Sequence, residues 1–106
     1  MKSLQTIATA LADKKAEEIR ILDVRGLSPV TDYLIITSVE TIRQAQAAAD
    51  EIELKEGRPF HKEGYENGEW IALDYGDCMV HIFHRSKRPF YGLDELWSRA
   101  VLVDVK

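Results

Sequence analysis

Leu4, Ile7, Ala8, Leu11, Ala12 and Ile19 are spaced largely by threes and fours. This predicts a first helix with one inward stripe, capped by Ser3. The segment 20-RILDV-24 then predicts a short strand, and Gly26, Ser28 and Pro29 mark a loop. The next apolar run, 33-YLIITS-38, does not alternate, as expected of a strand covered on both faces. A second helix follows in TIRQAQAAADEIELKEG. Thr41 with Gln44 three residues later fits a capping box. Ala45, Ala48, Ala49 and Ile52 make its buried face, and their small side chains let the helix lie close to a sheet. Gly57 followed by Pro59 ends it, as a left-handed cap before a helix breaker.

The linking segment 58-RPFHKEGYENG-68 has room for one short strand near Phe60 before a turn-rich stretch. In 70-WIALDYGDCMVHIFH-84, residues 70–73 and 79–83 read as strands joined by a turn at Tyr75, Gly76, Asp77 and Cys78. Period two places Trp70, Ala72 and Asp74 on one face and Ile71, Leu73 and Tyr75 on the other. A polar loop, 84-HRSKRP-89, leads to a helix from about residue 92 to 100 that displays Leu93, Leu96 and Trp97 on one side. The tail VLVDVK adds a candidate edge strand. Hairpins mixed with a helical crossover predict an α/β (α+β) architecture with a mixed sheet flanked by helices. One domain over residues 1–106 is expected.

Composition narrows the function. With 45% hydrophobic and 30% charged residues among 106, the chain can build a core beneath a charged surface. A net charge of −4 argues against coating nucleic acid by bulk electrostatics. A single cysteine, Cys78, excludes an internal disulfide and fits a reducing compartment. The N-terminal stretch is broken by charges, unlike a signal peptide, and carries too many acids for a transit peptide, and no run reaches membrane-span length. A cytoplasmic location, with no membrane contact, is expected.

The polar residues of the hairpin invite a chemical reading. Asp74 and Asp77 are candidates for a divalent-metal pair in a small nucleotidyltransferase or phosphohydrolase. Residues three apart on a strand face opposite ways, however, and no glycine-rich phosphate loop is present. Those aspartates are better explained as shaping the turn. His81 and His84 differ in strand parity, and no further Cys or His pair completes a metal set. No nucleophile signature surrounds Cys78. The expectation is no enzyme, no metal and no cofactor. Arg85, Lys87 and Arg88, beside Pro89, Phe90 and Tyr91, are a candidate auxiliary contact to RNA. A surface tryptophan or tyrosine beside acids is typical of a protein–protein hot spot, which draws attention to Trp70 and Tyr75.

The series 23-DVRGLSPVTDYLIITS-38, 43-RQ-44, 63-EG-64, 70-WIALDYGDCMVHIF-83 and 91-YGLDELW-97 resembles the ribosomal silencing factor family, also called Iojap-like proteins. The likeness runs from about residue 4 to 100. One departure is the stretch 38-SVET-41, where the family usually has Ser-Gly-x-Ser; there the capping role falls to Thr41. The resemblance implies a fold similar to the nucleotidyltransferase fold without its catalytic set. It also implies binding to the large ribosomal subunit through its ribosomal protein numbered fourteen, blocking the small subunit and lowering translation when nutrients are scarce. The implied partner-binding residues are Trp70, Leu73, Asp74 and Tyr75, with Asp77 in the same hairpin. Exposed apolar residues of the tail or last helix are where a homodimer would form.

Overall fold

The computed structural model describes residues 3–103. Its elements run α1 Leu4–Asp13, β1 Glu17–Asp23, β2 Tyr33–Val39, α2 Ile42–Glu56, β3 His61–Glu63, β4 Trp70–Asp74, β5 Cys78–His84, α3 Arg88–Tyr91, α4 Leu93–Leu96 and β6 Val101–Leu102. The strands form one mixed sheet in the order β3-β4-β5-β2-β1-β6. Neighbours are antiparallel except β2 and β5, which run parallel. The chain between those two makes its crossover through α2 and then the β3 and β4 strands.

The two faces of the sheet are dressed differently. One is covered by α1 and α2, which press Ile7, Leu11, Ala45, Ala48, Ala49 and Ile52 against Ile35, Ile71, Leu73, Val80 and Ile82. On the other face, Leu22, Val24, Leu34, Ile36 and Phe83 are buried, and Leu93, Trp97 and Ala100 pack against them. β2 lies in mid-sheet between these layers, so Leu34 through Val39 are all buried. Its unbroken apolar run has that cause.

The second helix matches its sequence closely. Ala45, Ala48, Ala49 and Ile52 are its buried residues. Thr41 Oγ1 accepts from the Gln44 backbone N–H at 3.0 Å. Gln44 Oε1 accepts in return from the Glu40 N–H at 2.8 Å, one residue earlier than a capping box predicts. Gln44 Nε2 also donates to the Lys14 carbonyl at 2.9 Å, tying this helix start to the loop after α1. Thr41→Ala is therefore expected to cost about 1 kcal/mol, read as a lower urea midpoint at unchanged slope.

Elsewhere the boundaries move. α1 ends at Asp13, leaving Ile19 in β1, and its inward stripe uses Ala10 while Ala12 faces solvent. β1 begins at Glu17, and its register with β2 is interrupted between Glu17 and Arg20. Gly57 stops α2 at φ 84° and ψ −174°, an extended mirror-region conformation and not the left-handed helical one. The helix expected over 92–100 is instead two single turns, because Pro89 opens α3 and left-handed Gly92 closes it before α4 begins. Leu96 is accordingly exposed. The tail pairs Val101 and Leu102 with Asp23 and Leu22 at the sheet edge; its last three residues lie outside the described region.

Candidate functional site

α3 and α4 reach only part of their face of the sheet. They cover the Phe83 end of β5 and reach Trp70 of β4 through Tyr91, and beyond that point the face carries an open strip running over Ala72 and Asp74 of β4 and Met79 of β5 to β3. Strand register places His61 opposite Asp74, Glu63 opposite Ala72, Asp74 opposite Met79, Ala72 opposite His81 and Trp70 opposite Phe83, all on this side. His61, Glu63, Ala72, Asp74 and Met79 line an open depression of about 370 Å³. The surface is an apolar strip of Trp70, Ala72 and Met79 edged by Glu63 and Asp74.

Trp70 is the largest side chain on the strip and is half-buried. Gly64 governs where its strand begins: at φ 77° it lies so close to the Trp70 carbonyl oxygen that any β-carbon would collide with it. The indole stacks on Phe83 with ring centroids 5.0 Å apart and meets Tyr91 of α3 at 4.4 Å. Its Nε1–H donates to His81 Nδ1 at 2.9 Å. His81 is only 8% exposed, and burial holds its pKa down at about 4.

The hairpin residues expected to bind a partner therefore divide by face. Trp70 and Asp74 lie on the open strip. Asp74 Oδ1 accepts from the Gly76 N–H at 2.8 Å, the turn-shaping role expected of it. Asp77 sits in the turn, where its carbonyl accepts from the Asp32 and Tyr33 N–H groups. Leu73 and Tyr75 are corrections. Leu73 is fully buried and Tyr75 is 4% exposed on the helix-covered face, with the Tyr75 hydroxyl donating to the Gly57 carbonyl at 2.8 Å. Neither side chain is placed to touch a partner of the intact fold. Met79, His81 and Tyr91 belong to the site and were missed. Strand parity was the available signal for the first two, since Met79 and His81 share the face of Asp74 and Ala72.

The basic cluster divides as well. Arg85 and Lys87 are surface side chains near Glu40 and Glu69, each at 3.6 Å. Arg88, expected in the same solvated loop, is instead buried. It donates to Asp94 at 2.9 and 3.1 Å, to the Glu18 carbonyl at 2.7 Å and to Ser38 Oγ at 2.9 Å. With those donors engaged inside the chain, its assignment as an RNA contact is withdrawn.

As for chemistry, Cys78 and His81 project to opposite faces, and burial pushes the Cys78 thiol up to about 12, so they form no nucleophilic dyad. Among the described residues no three His, Cys, Asp or Glu side chains gather to hold a metal ion. No helix among them is long and apolar enough to cross a membrane.

A family model described as "Ribosomal silencing factor during starvation" matches residues 1–106. The chain belongs to the ribosomal silencing factor family. Its relatives include the ribosomal silencing factor of Bacillus subtilis, 40% identical over 96% of this chain and 90% of the relative. That of Halalkalibacterium halodurans is 36% identical over 97% and 92%. The crystal structure of a Bacillus halodurans protein superposes with a TM-score of 0.81 at 35% identity, covering 96% of both chains.

Proposed function

We propose that this chain is a translational repressor. It binds the large ribosomal subunit through the ribosomal protein numbered fourteen and sterically keeps the small subunit from joining, lowering translation under nutrient limitation. Family membership supports the reading. The observation that carries it is the open strip of the sheet, at one end of which half-buried Trp70 stands among Phe83, Tyr91 and His81. An aromatic anchor edged by Glu63 and Asp74 suits a basic protein surface, where complementary charge favours encounter and orientation. Blocking requires occupancy alone, so no enzymatic step is invoked and the domain acts in the cytoplasm. Arg85 and Lys87 serve as an accessory contact to ribosomal RNA, and Asp77 lies at the margin of the surface.

Sucrose-gradient sedimentation of purified subunits with the protein tests this. The wild type is expected to travel with the large subunit and to deplete assembled ribosomes. Trp70→Ala, with folding checked by circular dichroism, is expected to weaken capture by about 2 kcal/mol, roughly thirtyfold. No co-migration at low or moderate salt would overturn the proposal. Equal capture by the folded Trp70→Ala variant would move the binding face elsewhere. Salt-steep binding to naked ribosomal RNA would favour Arg85 and Lys87 as the main contact instead.

A further inference from the structure

His81 is a buried polar side chain on the face where the anchor stands. Across the sheet it is flanked by Ile36 of β2 and Ala72 of β4, neither able to offer it a side-chain hydrogen bond. Its hydrogen bond comes from Trp70. An indole N–H can only donate, so the accepting Nδ1 bears no proton and the neutral ring carries its proton on Nε2. The other restraints on the indole are ring contacts, to Phe83 at 5.0 Å and Tyr91 at 4.4 Å. Ring contacts limit the tilt of the indole but tolerate rotation of one edge for another. The directed bond to Nδ1 selects the edge.

We infer that His81 is a positioning residue for the docking surface: it takes up the Trp70 N–H within the chain, fixes the indole before encounter, and leaves the partner the ring and not its N–H. The inference rests on the docking reading of this face. A side chain already held in one rotamer loses less freedom on binding, which is how preorganisation raises affinity. The partner group that fits is then one that packs on an aromatic surface without accepting a hydrogen bond. Beside Glu63 and Asp74, a lysine or arginine with its methylene stem has that chemistry.

The test is a double-mutant cycle on large-subunit capture, joined to hydrogen exchange of the Trp70 indole N–H by NMR in the free protein. His81→Leu is expected to speed that exchange at least tenfold and to weaken capture about tenfold. His81→Asn, which keeps an acceptor near the place of Nδ1, is expected to stay within threefold of wild type in both. In the Trp70→Phe background, where no N–H remains, His81→Leu is expected to change capture by less than twofold. A purely structural role would cost the same factor in both backgrounds, and that result overturns the inference. So does unchanged capture by His81→Leu. His81→Phe, flat but without an acceptor, replaces the leucine variant should that one fail to fold. Failure of the wild type to bind the large subunit overturns the docking reading itself. An indole N–H exchanging equally fast in wild type and His81→Leu overturns positioning whatever the capture.

Discussion

Asp94→Ala is expected to lower the stability of the fold by about 3–5 kcal/mol, measured as the loss of unfolding free energy in urea. Asp94 sits on α4 and receives Arg88 through two nitrogens, at 2.9 and 3.1 Å, while its Oδ1 also accepts from Arg20 at 2.8 Å. Hydrogen bonding from Arg88 first, then its charge and Arg20, hold the Asp94 carboxyl below the usual carboxylate range against the opposing effect of burial. Removing the carboxylate leaves the buried Arg88 guanidinium with carbonyl and hydroxyl acceptors but no counter-charge from Asp94. An uncompensated buried charge is far more costly than a missing surface pair. Replacing both partners together, Arg88→Met with Asp94→Leu, is expected to recover a large part of the loss. A loss below about 1 kcal/mol for Asp94→Ala would show that this network is not what holds α3 and α4 down.

That network also bears on the site. Through Glu18 of β1 and Ser38 of β2, Arg88 fastens the two short helices to the sheet, and Tyr91 rides on α3 against the Trp70 indole. A helix of four residues has negligible stability of its own, so its place depends on such tethers. Releasing the clamp is therefore expected to weaken capture of the large subunit in Asp94→Ala, though no residue of the clamp lies on the open strip.

Arg88 illustrates why part of the site was not legible in the sequence. Its acceptors come from Asp94 six residues on, Ser38 fifty residues back and Glu18 seventy back. No local window distinguishes such an arginine from Arg85 or Lys87 beside it. Short-range physics was legible where it acts alone. The alanines of α2 with its Thr41 cap and the unbroken apolar run of β2 fixed both elements almost to the residue. The last helix was misread because an apolar spacing at Leu93, Leu96 and Trp97 outweighed the breaks at Pro89 and Gly92. Leu73 and Tyr75 show a different failure. Alternation along β4 already placed them with Ile71 on the other face from Trp70, but family likeness treats the strand as one motif. Only alternate residues of a strand can meet the same partner. Placing Met79 and His81 opposite Asp74 and Ala72 additionally required the register of the hairpin, which its turn length sets.

Acidification provides the second large effect, and His81 sets its window. In the unfolded chain this imidazole titrates near 6.5, whereas burial alone holds it at about 4 in the folded protein. Above pH 6.5 both states are neutral at this site and it contributes no pH dependence. Between pH 6.5 and 4 the unfolded chain takes up a proton that the folded chain refuses, so stability falls as pH falls, by about 3 kcal/mol across the window. The depressed Asp94 carboxyl acts in the same direction but lower down. Its contribution is complete above the unfolded carboxylate range and is lost only as pH drops through the folded value. Urea unfolding at steps from pH 7.5 to 3 is thus expected to show a slope between pH 6.5 and 4 that His81→Asn flattens, while the further loss below pH 4 to which Asp94 contributes stays in place. A wild-type stability flat from pH 6.5 to 4.5 would contradict a buried neutral His81. Forcing the proton on has a structural consequence too. A protonated Nδ1 becomes a donor facing the indole donor of Trp70, so the charge that destabilises the fold also breaks the bond that orients its anchor.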